Sequence, residues 1–199
     1  MRVAIIKYNA GNVFSVLCAL NRIGVEAEIT DDETSIRTAD RVVFPGVGEA
    51  SSAMAYLRQH GLDKIILSLK QPVLGICIGM QLLCRSSEEG NAECLGVFDV
   101  DVRRFNNALT PSLKIPHMGW NTLQIVGGDK RVIADDLTGK HVYFVHSYAA
   151  PVCQWTAAKC EYIIPFSAAL QRENFYATQF HPEKSGSVGE QILRRFIEL

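Results

Sequence analysis

Gly75-Ile76-Cys77-Ile78-Gly79 holds the sulfur best placed for chemistry in this chain. The Gly-x-Cys-x-Gly pattern follows the apolar run of residues 73–76 and leads into a segment with helical spacing. It reads as a nucleophile elbow with Cys in place of Ser. A strand that turns sharply into a helix crowds the backbone on both sides of the nucleophile, so residues without a Cβ fit there. The helix N-terminus favours a thiolate at Cys77, and the N–H of Ile78 points where an oxyanion would sit. The other five cysteines, Cys18, Cys84, Cys94, Cys153 and Cys160, lack such glycines and are expected as buried thiols.

A base and its orienter stand far away in the chain, in Phe180-His181-Pro182-Glu183-Lys184. Pro182 biases His181 to extended backbone, where residues i and i+2 project to one side. Glu183 can then bind one ring nitrogen of His181 while the other faces a thiol, the parts of an activated nucleophile. Phe44-Pro45-Gly46-Val47-Gly48 places two glycines after a third apolar strand, at the ligand side of an open parallel sheet. No Gly-Lys-Ser/Thr follows it, so it is not a Walker phosphate loop.

The elements around these segments read as an α/β fold. Residues 3–6, 25–29, 41–44 and 73–76 predict strands, and their alternation with helical segments argues a mainly parallel sheet covered on both faces. Val13, Val16, Leu17, Leu20 and Ile23 lie at helical spacing, closed by Gly24, and further helical patterns run through Met54–Leu62 and Ile65–Leu69. Residues 97–102, 121–126, 141–145, 153–158, 168–170 and 175–180 predict later strands, and 187–199 an amphipathic helix. The expectation is a mainly parallel open sheet flanked by helices, with added antiparallel strands in the second half. No linker or repeat divides residues 1–199, so one domain is expected.

Composition narrows the function classes. Twenty basic and 21 acidic residues leave a net charge of −1, which argues against dedicated nucleic-acid or anionic-membrane binding. The apolar run near the N-terminus is only four residues, short of a signal-peptide core, and no stretch approaches a membrane span. A cytoplasmic location is expected, and with it reduced cysteines.

Taken in order, Asn9–Asn12, Pro45–Gly48, Gly75–Gln81, Pro116–Asn121, Tyr143–Tyr148 and Phe180–Ser185 resemble the class I (triad) glutamine amidotransferases along essentially the whole chain. Pro116-His117-Met118-Gly119-Trp120-Asn121 and Met80 point, within that family, to glutaminase subunits that pass ammonia to a separate cyclase (synthase) subunit. The resemblance implies that Cys77 attacks the side-chain amide of L-glutamine, that His181 moves the proton and that Glu183 holds His181. It implies oxyanion donors from Ile78 and from Gly46 or Val47, and substrate contacts from Gln81 and the Ser147-Tyr148 backbone. It also implies a heterodimer with Met118, Trp120 and Lys184 facing or coupling to the partner, and no metal or organic cofactor. The family's usual Asp is Lys7 here, and a common Gly is Asn9. The competing readings are a glutaminase of another pathway, a catalytically silent regulatory subunit, and a free-standing cysteine hydrolase.

Overall fold

The structure, a computed structural model, describes residues 1–8, 13–46, 48–108 and 110–199. Its main sheet is built from β1 (Val3–Ile6), β2 (Ala27–Thr30), β3 (Arg41–Phe44), β4 (Val73–Ile76), β9 (Gln124–Ile125), β12 (Thr156–Glu161), β13 (Pro165–Arg172) and β14 (Phe175–Thr178). They lie in the order β2-β1-β3-β4-β14-β13-β12-β9. The pairs from β2 to β14 are parallel and those from β14 to β9 antiparallel, so the change expected in the second half falls at β14. β1, β4 and β14 are buried at all four positions, which requires cover on both faces.

Helices supply that cover. α1 (Val13–Arg22) and α6 (Gly186–Ile197) lie together, joined by Arg194 donating to the Ile23 carbonyl and by an Arg22–Glu190 ion pair. α2 (Glu33–Thr38), α3 (Ala50–Gln59) and α4 (Leu62–Ser68) form a second group. α5 (Ile78–Leu83) packs between β4 and α3.

Two smaller sheets stand beside the main one. One pairs β8 (His117–Thr122) with β10 (His141–His146); the other has β5 (Cys84–Ser87), β6 (Ala92–Glu93), β7 (Phe98–Arg104) and β11 (Tyr148–Ala149).

Several boundaries differ from the sequence reading for local reasons. Gly24 N–H bonds the Asn21 carbonyl and Val25 N–H the Leu20 carbonyl, a Schellman closure of α1 that holds Val25 out of β2. α2 is unpredicted because it buries only Ile36 and so shows no apolar period; Asp32 starts it by accepting from the Ser35 N–H at 2.7 Å. The strand expected at 153–158 begins at Thr156, because Cys153 and Thr156 close a turn through N–H to Oγ1 and N–H to carbonyl bonds. The strand expected from 121 begins at His117. The thiol expectation also needs correction: Cys18 is exposed and Cys153 half-buried, while Cys84, Cys94 and Cys160 are buried. Lys7, at the end of β1, meets Asp31 in an exposed pair at 3.8 Å, worth little energy; Asn9 lies outside the described residues.

One contact fixes where the parallel strands end. The Cα of Gly79 sits against the Phe44 carbonyl so closely that a Cβ there would collide with that oxygen. Gly79→Ala must therefore push α5 off the end of β3. We expect a loss of about 3 kcal/mol or more, a fall of roughly 6–12 °C in Tm, read by thermal or urea unfolding.

Candidate active site

The ends of β3, β4 and β14 converge on a cavity of about 310 Å³, small but sufficient for an amino-acid-sized ligand. Cys77 follows β4 and lies on its floor. Its backbone has φ 56° and ψ −108°, a strained conformation for a residue with a side chain. The Cys77 N–H donates to the Thr178 carbonyl at 2.7 Å, so β14 grips the turn from the side. Ile78 opens α5, and a first-turn N–H has no partner within its helix. Ile78 also lines the cavity.

His181 comes from the segment after β14. Its N–H donates to the Tyr143 carbonyl at 3.0 Å, and its carbonyl accepts from Ser185 Oγ at 2.6 Å. Ser185 Oγ in turn accepts from the Tyr143 N–H at 3.0 Å. The backbone is therefore tied to β10 at two points. A 3-10 turn over Pro182–Lys184 carries Glu183, whose Oε1 lies 2.7 Å from His181 Nδ1. The carboxylate accepts, so Nδ1 carries hydrogen and Nε2 is left for Cys77. Nε2 is buried with no other hydrogen-bond partner among the described residues. α6 holds this turn from behind, with Gly189 pressed on the Pro182 carbonyl so closely that a Cβ would collide.

Burial alone pulls the His181 imidazole down, but hydrogen bonds and charge from Cys77 and Glu183 outweigh it and push it up to about 9. A ring so held can take up a proton and pass it to a bound group.

Of the expected oxyanion residues, Ile78 and Gly46 are described and Val47 lies outside the described residues. Gly46 is tightly enclosed: a Cβ there would stand 2.5 Å from Tyr8 Oη and 2.8 Å from Ile78 Cβ. Gly48, with φ 112°, lines the cavity. Gln81, Ser147 and Tyr148 all line it, as does Lys184 at its exposed edge. Met118 and Trp120, expected at a partner face, are 63% and 56% exposed on β8, away from the core.

Sequence reading passed over three contributors. Tyr8, buried beneath the strand end, donates to the Pro45 carbonyl at 2.7 Å and so fixes the Pro45–Gly46 peptide. Burial, and then the nearby Cys77 charge, push its phenol well above the ordinary range, so it remains a donor. Gln179 Nε2 donates to Cys77 Sγ at 3.8 Å. Glu89 lines the cavity, with its carboxyl raised by burial and then by Glu49, against the Ala50 N–H bond that lowers it. Only Gln179, two residues from His181 on an extended segment, carried a spacing signal that could have revealed it.

The class of protein follows from the sequence comparison that matches this architecture. The profile of "Glutamine amidotransferase class-I" matches residues 5–199, and the chain belongs to that family. The relatives are more particular. "Imidazole glycerol phosphate synthase subunit HisH" of Bacteroides fragilis (strain YCH46) is 57% identical over 201 residues, covering all of both chains. The subunit of the same name from Escherichia coli (strain K12) is 44% identical over 200 residues, again covering both fully. Among solved structures, a glutamine amidotransferase from Thermotoga maritima shares the fold with a TM-score of 0.65 at 19% identity, over 100% of this chain and 81% of that one.

The charge states predict a stability optimum. His181 has its pKa raised, so its contribution is full below about pH 6.5 and is lost as pH rises through about 9. His117 and His146 are lowered by burial to about 4 and about 3, so theirs is present above about 6.5 and lost as pH falls through those values. Urea unfolding should show a maximum near neutrality with loss on both sides. In Glu183→Gln, the His181 midpoint followed by NMR should fall from about 9; an unmoved midpoint would contradict the assignment.

Proposed function

We propose that this chain is the glutaminase subunit of an imidazole glycerol phosphate synthase, working as one domain over residues 1–199 in the cytoplasm. It hydrolyses L-glutamine to glutamate and ammonia. The ammonia passes to a cyclase (synthase) subunit in a heterodimer, which makes imidazole glycerol phosphate and AICAR in histidine biosynthesis. Full-length identity of 44–57% to subunits of that name supports the pathway. The observation that carries the chemistry is the buried His181–Glu183 pair facing strained Cys77 in one cavity.

The steps follow from what each group can do. His181 takes the thiol proton at Nε2. The sulfur attacks the amide carbon and forms an S–C bond, and the carbonyl electrons move to oxygen. Ile78 N–H and a donor from the Gly46–Val47 loop stabilise that oxyanion, each worth about 3–4 kcal/mol. His181 then protonates the nitrogen, the C–N bond breaks, and ammonia leaves a γ-glutamyl thioester. Water, deprotonated by His181, attacks the thioester carbon and returns the thiol. Glu183 keeps the proton on Nδ1 and the ring aimed throughout. Glu89 and Gln81 supply acceptors for the substrate ammonium, and the Ser147-Tyr148 backbone holds its amino-acid end. Nothing in these steps requires a metal or an organic cofactor.

Met118 and Trp120 on β8, with Lys184 at the cavity edge, are the residues offered to the cyclase. Ammonia released into water becomes ammonium and loses nucleophilicity, so a useful chain is nearly idle alone. The peptide after Gly46 is where a switch would sit, since Tyr8 fixes the one before it.

The test is glutamine hydrolysis by the chain alone, with the cyclase subunit, and with the cyclase plus its nucleotide ligand. Activity should rise at least 10²-fold from first to last. Cys77→Ala should abolish it. His181→Ala should lose more than Glu183→Gln, since a base is worth about 10²–10⁴-fold and a misaimed one retains part of that. Full activity in the chain alone would refute the switch, and equal or reversed losses would contradict the two roles.

A further inference from the structure

Two buried histidines take no part in the chemistry above. His117 on β8 and His146 on β10 pair directly across the strands and are 3% and 6% exposed. Their hydrogens can be assigned from their partners. The Tyr148 carbonyl only accepts, so His146 Nδ1, 2.8 Å away, carries a hydrogen. A neutral imidazole has just one, so His146 Nε2 accepts. Its partner at 3.2 Å is His117 Nδ1, which therefore carries hydrogen in turn. His117 Nε2 is left to accept, from Asn121 Nδ2 at 3.4 Å. The chain of bonds runs in one direction, from Asn121 through His117 and His146 to the Tyr148 carbonyl. Burial keeps both rings neutral, as this arrangement requires.

The same carbonyl is a junction. Gln81 Nε2 donates to it at 3.0 Å and to Gln179 Oε1 at 3.0 Å. Both Gln81 amide hydrogens are thereby used. Its Oε1 is buried without a hydrogen-bond partner among the described residues, on a residue that lines the cavity.

We infer that the His117–His146 couple positions the group that receives the substrate's amino end: it fixes the Tyr148 carbonyl, the carbonyl fixes the Gln81 amide, and Gln81 Oε1 is thereby presented to an ammonium. The inference rests on the glutaminase reading. It makes both histidines positioning residues and links the cavity to β8, the strand that exposes Met118 and Trp120. A purely structural role would use the rings as packing instead, since His117 stacks on Tyr162 at 4.0 Å and on Phe144 at 4.8 Å.

His117→Phe separates the two, because it keeps an aromatic ring in the stack and removes both hydrogen bonds. Asn121→Ala, at the half-buried end of the relay, is a milder second variant should the first fail to fold. In the complex with the cyclase subunit, His117→Phe should raise the glutamine KM about tenfold, the worth of one misplaced hydrogen bond to a charged group. Its kcat should stay within about twofold. Asn121→Ala should raise KM about two- to fivefold. Alkylation of Cys77 by iodoacetamide, which has no amino end, should keep its wild-type rate in both. Unchanged KM in an active complex, or KM and kcat spoiled together with the alkylation rate, would overturn this inference alone. A wild-type complex that hydrolyses no glutamine would overturn the glutaminase reading as well.

Discussion

The contact between Gly79 and the Phe44 carbonyl sets the terms for the rest of the site. Because α5 starts directly against the end of β3, the chain leaving β4 has a single residue in which to reverse, and that residue is Cys77. The strain at φ 56° is held by the Thr178 carbonyl on one side and by α5 on the other. Strain of this kind costs of order 1–3 kcal/mol and persists only where the surroundings over-determine it. In return the sulfur stands clear of the sheet at a helix start, on the floor of a cavity into which β14 delivers His181.

A second layer holds His181, which lines the same cavity, in place. Tyr143 and Ser185 tie down the His181 backbone, and the turn carrying Glu183 rests on Gly189 of α6. The polar groups of His181 are spent on orientation except Nε2. The same economy appears at Gln81, whose amide hydrogens are both used and whose oxygen is left over. Buried groups without partners are costly, so atoms left in this state at a cavity wall mark where a substrate's own donors and acceptors belong.

Much of this was legible in the sequence because the constraints are local. The glycines around Cys77 follow from backbone crowding, and the spacing of His181 and Glu183 from extended geometry at Pro182. The change from parallel to antiparallel strands showed as a loss of continuous apolar runs. What stayed hidden depends on contacts between distant residues. Tyr8 and Pro45 are 37 positions apart, and Gln81 and Gln179 are 98 apart. α2 buries one residue, and β6 has only two, so neither has a period to read. His117 and His146 are 29 positions apart and meet only through strand register.

The central claim is that backbone geometry, and not exposure, makes Cys77 the reactive sulfur. Labelling of the complex with a glutamine-analogue electrophile, followed by peptide mass spectrometry over all six cysteines, tests it most directly. The account predicts one adduct, on buried Cys77, with free L-glutamine protecting against it. A label on exposed Cys18 or half-buried Cys153, with Cys77 unmodified, would contradict it.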